Sequence, residues 1–191
     1  MSTADFAARL RNRQPVLGYW SVIDSPVSTE WLAHIGWDYI ALDLQHGLIG
    51  YDGMLRGLTA IDSAHGPAGI IRVEANDMTP IGRALDAGAA GVIVPLIDTA
   101  DDAVYVGPSD LRLAVGGASP SDVSVDDQFE AALTRIHEAA AAAGIAAGIH
   151  TPAGDVAAQR LSQGYTFASV ASDLTHLKAV SSAHLKAALG K

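Results

Sequence analysis

The sequence predicts an α/β fold on a parallel sheet, with seven strands where a (β/α)8 barrel has eight. Three observations predict it. Short apolar runs alternate with helical stretches from Val16 to Leu96, a βαβαβαβ rhythm that calls for parallel strands joined by crossover helices. The run Tyr39 to Leu44 reads as a buried strand, yet its tip carries Asp43, Gln45, His46 and Gly47. A strand that is apolar along its length and polar at its C-terminal end is how an α/β barrel displays chemistry. Finally, 49% of the chain is apolar, and Ala and Gly are abundant, which suits close packing of helices on a sheet.

Each element has its own signal. Thr3 to Arg11 places Phe6, Ala7 and Leu10 on one helical face and arginines on the other, and Pro15 follows its end. Val16 to Val22 is strand one. Ser28-Thr29-Glu30 caps a short helix reaching His34, and Tyr39 to Leu44 is strand two. Tyr51 to Ala64 is helical, and Gly69 to Val73 is strand three with Arg72 near its end. Pro80 begins a helix to Ala87, and Gly91 to Leu96 is strand four. Then the rhythm breaks. Only Ile97 and the six residues Asp98 to Ala103 separate strand four from the strand-like Val104-Tyr105-Val106, and a parallel crossover needs about a dozen. The rhythm resumes with a Gly/Ser/Pro-rich loop over 116–124 and an Ala-rich helix from Asp126 to Ala143. A strand over Ile145 to Ile149, a helix from Ala153 to Gln163, a strand over Tyr165 to Ala171 and a last helix from Asp173 to Leu189 complete it.

At 191 residues a single domain over 1–191 is expected, beginning with a helix and broken against the barrel pattern at about 98–104. A net charge of −9 argues against nucleic acid or an anionic membrane as partner. Without cysteine there is no disulfide, thiol nucleophile or Cys-rich zinc site. The N-terminus lacks a signal-peptide core and no run is long enough to cross a bilayer, so a cytoplasmic protein is expected. His46 is a candidate base because imidazole titrates near neutrality, and Asp43 is close enough to orient it. The alternative is that the two satisfy each other and a loop.

Four stretches, in this order, resemble the HpcH/HpaI family of class II, metal-dependent pyruvate aldolases: Leu42-Asp43-Leu44-Gln45-His46-Gly47, Ile71-Arg72-Val73, Arg83 to Pro95, and Val106-Gly107-Pro108-Ser109-Asp110-Leu111. The resemblance implies a TIM (β/α)8-type barrel, here short of one strand, and a lyase acting on the carbon–carbon bond next to pyruvate. The substrate would be a 4-hydroxy-2-oxoacid, released as pyruvate and an aldehyde through a metal-stabilised enolate. It implies a divalent cation, Mg²⁺ or Mn²⁺ because hard oxygen ligands suit these ions, with Co²⁺ as a further candidate. Asp110 would be one ligand; its alternative role is a helix N-cap. Gly107, Pro108 and Ser109 would seat the pyruvate carboxylate near a helix start. His46 would move the proton, Asp43 would hold its ring, and Arg72 would stabilise the enolate or aldehyde oxygen. For Arg72 the alternative is a salt bridge with Asp43 or Glu74. Trp20 would wall the pocket or be plain core. His150 and His176 read as bystanders; His34, His65, His137 and His184 read as surface.

The chain departs from the family where its own rhythm breaks. There the family has a fifth strand ending in a glutamate, the second carboxylate on the metal. The four glutamates here, Glu30, Glu74, Glu130 and Glu138, match no such strand end, although Asp98 near the end of strand four is a stand-in. Two readings of different class follow: an active lyase, or a catalytically silent barrel remnant. A third, cleavage of acyl-CoA thioesters, calls for a longer chain and a basic surface. The family's habit of forming hexamers through the last helix implies a homo-oligomer, with Leu174, Leu177, Val180 and Leu185 in the contact; the same residues would equally suit ordinary barrel packing.

Overall fold

The computed structural model describes residues 3–95 and 105–190. Its fold is α/β, of the TIM-barrel type short of one strand. Among the described residues there are seven strands, paired in parallel, and eight α-helices. The strand-four end at Leu96, the stand-in ligand Asp98, the break at 98–104 and Val104 lie outside the described residues. By internal contacts the chain forms two compact units.

The first unit holds Gly18–Pro95 and Ala171–Lys191. Its strands are β1 (Val16–Ser21, whose first two residues belong to the second unit), β2 (Tyr39–Asp43), β3 (Ala68–Arg72) and β4 (Gly91–Ile93), in the order β4-β3-β2-β1. Between them run α2 (Pro26–Ala33), α3 (Tyr51–Ser63) and α4 (Met78–Asp86). β2 is buried along its whole length, as a strand covered on both faces must be. Ile40, Leu42, Met54, Leu58, Ile61, Ile71 and Val73 make the core against α3. A methyl on Gly57 would stand 2.6 Å from Leu42 Cδ1, so any side chain at this position would require Leu42 to move.

Two helix starts differ from expectation for the same reason. Ser25, not Ser28, caps α2: its hydroxyl accepts from Ser28 N–H at 3.2 Å, and Pro26 takes the first position, where a missing N–H costs nothing. Asp77 caps α4 through Thr79 N–H at 2.7 Å, which leaves Pro80 inside the first turn rather than at its start. At the end of the chain α8 (Asp173–Ala188) is capped by Ser172. Asp173 is buried and accepts from Ser21 Oγ at 2.8 Å and from the N–H groups of Val22 and Ile23 at 3.0 and 3.2 Å. Beyond Asp173 every described residue of α8 is exposed. One further tie is the Tyr19 hydroxyl at 2.6 Å from His176 Nδ1; burial, and then the charge of Asp173, push this phenol up to about 12.

The second unit holds Thr3–Leu17 and Leu96–Val170. α1 (Thr3–Arg11) buries Phe6 as expected. β5 (Tyr105–Val106), β6 (Gly148–Thr151) and β7 (Phe167–Ser172, its last two residues in the first unit) lie in the order β7-β6-β5. α5 (Pro108–Ala114), α6 (Asp126–Ala143) and α7 (Gly154–Ser162) accompany them. β6 and β7 begin later than the apolar runs because helix ends claim the first residues. Ile145 N–H donates to Ala140 O, and Tyr165 N–H to Arg160 O. Arg160 is buried in a two-armed pair with Glu130, which holds the Glu130 carboxyl below its usual range. His137, expected at the surface, is half-buried with its ring 5.8 Å from that of Tyr165.

Candidate active site

In the first unit the C-terminal ends of β1, β2 and β3 bring Trp20, Asp43 and Arg72 together. Asp43 and Arg72 are opposite each other in the parallel register. The Asp43 carboxylate is 1% exposed and accepts five hydrogen bonds. Arg72 Nε donates to Oδ1 at 2.8 Å and Nη2 donates to Oδ2, a two-armed pair. Trp20 Nε1 donates to Oδ2 at 3.0 Å. The backbone N–H groups of Gln45 and His46 donate to Oδ1 at 2.9 and 3.0 Å. Burial pushes this carboxyl upward, but the bonds from Arg72, His46 N–H and Trp20, with the Arg72 charge, outweigh it and the net shift is downward.

Arg72 is thus fixed twice, by Asp43 and by the face of Trp20, whose ring centroid lies 5.0 Å from Cζ. The salt-bridge partner foreseen for Arg72 is Asp43; Glu74 is exposed and plays no part in that pair. Trp20 is both core and ligand of the carboxylate, a role that its place in an apolar strand did not announce. His46 is exposed. Asp43 reaches it through the backbone N–H, and no hydrogen bond joins the carboxylate to the His46 ring among the described residues. The turn is tight: a methyl on Gly47 would stand 2.1 Å from Asp43 O. Asp43 therefore fixes the loop that carries His46 rather than the imidazole itself.

In the second unit Gly107 follows β5 and occupies the capping position of α5, with Pro108 as first helical residue. Asp110 is exposed in the first turn, one of its oxygens 2.9 Å from where a Gly107 methyl would be. The N-cap alternative for Asp110 does not hold, because Gly107 has that place and no side chain caps the helix. Ser109 is exposed beside it. Among the described residues no three His, Cys, Asp or Glu side chains gather in a way that could hold a metal ion.

The same unit contains a polar group that the sequence reading passed over. Ser169 Oγ on β7 lies 2.7 Å from His150 Nδ1 on β6 and is hydrogen-bonded to the Tyr105 hydroxyl on β5. Each residue is separated from the others by many positions, so only strand register unites them.

The comparisons with known proteins agree with this architecture. Residues 17–106 match the family model for HpcH/HpaI aldolase/citrate lyase. A hydroxypyruvate/pyruvate aldolase of Paraburkholderia phytofirmans is 33% identical over 102 residues, 53% of this chain and 39% of that one. A second, from Rhizorhabdus wittichii, is 24% identical over 230 residues, covering 87% of this chain and 91% of the relative. That span exceeds the 191 residues available, so the two align only across a gap in this chain. The alignment thus spans well under half of the first relative and nearly all of the second. Among solved structures, an HpcH/HpaI aldolase/citrate lyase family protein of Burkholderia cenocepacia shares the fold, with a TM-score of 0.86 and 22% identity over 98% of this chain and 99% of that one. Residues 17–106 thus match the HpcH/HpaI aldolase/citrate lyase family, the chain is similar to hydroxypyruvate/pyruvate aldolases on either side of that span, and the fold agrees.

Proposed function

We propose that this chain is a carbon–carbon lyase that cleaves a 4-hydroxy-2-oxoacid reversibly into pyruvate and an aldehyde. The observation that carries the reading is the Arg72 guanidinium, locked at a strand end by Asp43 and Trp20. Asp43 takes Nε and Nη2, so Nη1 remains for an oxygen of the substrate. A fixed positive charge there stabilises oxyanion character as the bond breaks, without reorganising during the reaction. In the cleavage direction His46 takes the proton of the C4 hydroxyl. The C3–C4 bond breaks, its electron pair becomes the pyruvate enolate, and a proton returned to C3 completes pyruvate. Exposure on a loop suits His46 to exchange protons with water between turnovers. Trp20 covers one face of the Arg72 guanidinium. By the family resemblance, the N–H groups of Ser109 and Asp110, in the first turn of α5 after Gly107 and Pro108, would seat a carboxylate. Asp110 would hold Mg²⁺ or Mn²⁺, weakly because one carboxylate attracts a hard cation less than two, and the ion would supply Lewis-acid stabilisation of the enolate.

Proton exchange of the pyruvate methyl group in D2O, followed by NMR, tests the proposal. We expect exchange that increases with Mn²⁺ or Mg²⁺ and is lost in His46→Ala and in Asp110→Asn. A folded protein that shows no exchange at any metal concentration sinks the lyase reading. That outcome would select the second reading, a silent barrel remnant. We further propose a homo-oligomer, supported by the exposed Leu174, Leu177, Val180, Leu185 and Leu189 of the last helix and the residue after it.

A further inference from the structure

Asp173 lies far along the chain from His46 but in the same unit. It is the first residue of α8, and its carboxylate accepts one bond from that helix, Leu174 N–H at 2.8 Å. Three more come from the tip of β1 and the loop after it: Ser21 Oγ, Val22 N–H and Ile23 N–H. A buried carboxylate needs such donors, and these tie the start of the last helix to the loop that leaves the first strand. Ala171, buried two residues before Asp173, holds a φ of 47°. Alanine takes this left-handed conformation only where its surroundings enforce it, and here it precedes the turn into α8.

The peptide group between Val22 and Ile23 joins this carboxylate to the candidate site. Its N–H donates to Asp173 Oδ2 at 3.2 Å, and its C=O accepts from Leu48 N–H at 2.7 Å. A trans peptide is planar, with N–H and C=O on opposite sides, so fixing the one aims the other. An N–H bonded to a carboxylate is also polarised, which makes the carbonyl across the peptide a stronger acceptor. Leu48 follows His46 by two residues, and a methyl on the intervening Gly47 would stand 3.2 Å from Val22 O. The His46 loop is thus pinned on both sides of Gly47. On the inner side the Asp43 carboxylate takes the N–H groups of Gln45 and His46; on the outer side Val22 O takes that of Leu48.

We infer that Asp173 is a positioning residue for His46: through the Val22–Ile23 peptide it fixes the outer end of the loop that carries the imidazole. The inference rests on the lyase reading for the role of His46 as base.

Asp173→Asn in the full chain tests it. An amide has one acceptor oxygen where the carboxylate has two, so the Val22–Ile23 peptide loses part of its anchor. In native-state hydrogen exchange the Leu48 amide should exchange about tenfold faster, beyond any change at the Leu42 amide in buried β2, which follows global unfolding. In the pyruvate assay kcat should fall about tenfold with KM unchanged, because a displaced base slows proton transfer and not binding. His176→Ala removes the tie of α8 to Tyr19 but keeps the carboxylate, and should alter neither readout. Should Asp173→Asn not fold, the parent chain still decides: its Ile23 and Leu48 amides should open with one free energy, and two distinct values overturn the inference. A Leu48 amide that gains no more than Leu42 overturns the inference and spares the lyase reading, as does a kcat in Asp173→Asn no lower than in His176→Ala. A faster Leu48 amide in a chain whose parent catalyses no proton exchange of pyruvate supports the hold on the loop and overturns the lyase reading. An unchanged Leu48 amide together with an inactive parent overturns both.

Discussion

Asp43 is the residue on which the first unit's site depends, and its surroundings set two expectations. Removing one partner of a buried ion pair strands the other, at a cost of about 3–5 kcal/mol. Asp43→Ala would leave Arg72, Trp20 Nε1 and two backbone N–H groups without their acceptor, so urea denaturation at pH 7 should show a loss of that size. A loss under ~1 kcal/mol would mean that solvent replaces the carboxylate easily. The downward shift of this carboxyl gives the sign of the pH dependence. Folding weakens its hold on a proton, so the stabilisation is complete above the ordinary carboxylate range and drains as pH falls through and below it. The gap between Asp43→Ala and the parent chain should therefore narrow from pH 7 toward pH 3. Much of this was legible in the sequence. A polar tip on an apolar strand marked Asp43, and a charge near a strand end marked Arg72. What the sequence left open was the choice among partners, because Asp43, Glu74 and His46 all lie within a few residues of one strand tip or the other.

At the scale of elements, helix α3 separates local preference from packing. Gly57 lies inside a helix, where alanine is favoured by about 1 kcal/mol. The contact with Leu42 opposes it, since an added methyl in a filled core costs about 1–3 kcal/mol. Gly57→Ala should lower the thermal midpoint; a rise would show that Leu42 turns aside without strain. Helix α8 is the opposite case, tied at its first turn through Asp173 and His176 and exposed beyond Asp173. If that face is an assembly surface, Leu177→Asp with Leu185→Asp should reduce the sedimenting mass and leave the circular dichroism unchanged. An unchanged mass would leave α8 as surface. The periodicity of the last helix was plain in the sequence. What covers its apolar side was not, because an amphipathic pattern reports that a face is apolar and not what lies against it.

Across the whole molecule, the rhythm of the sequence breaks after Leu96, and the alignment with the Rhizorhabdus relative is longer than this chain. Element order is legible in this chain because apolar runs and their punctuation are local. Boundaries were less so: α2 and α4 start at Ser25 and Asp77, where a side chain and a backbone N–H meet, and β6 and β7 wait for the preceding helix to finish its own hydrogen bonds. Each depends on which competing partner a backbone group takes.

Periodicity and short motifs carried the fold class and the order of elements, and they pointed to the family and to candidate residues. Only the tertiary structure decided that Trp20 and the Asp43 carboxylate lock Arg72 and that Asp43 holds the His46 loop by its backbone. It alone revealed the group formed by Tyr105, His150 and Ser169. The reason is physical. Parallel register joins residues that lie tens of positions apart, and the bond each polar atom makes is chosen by distance and burial, neither of which a linear order of residues contains.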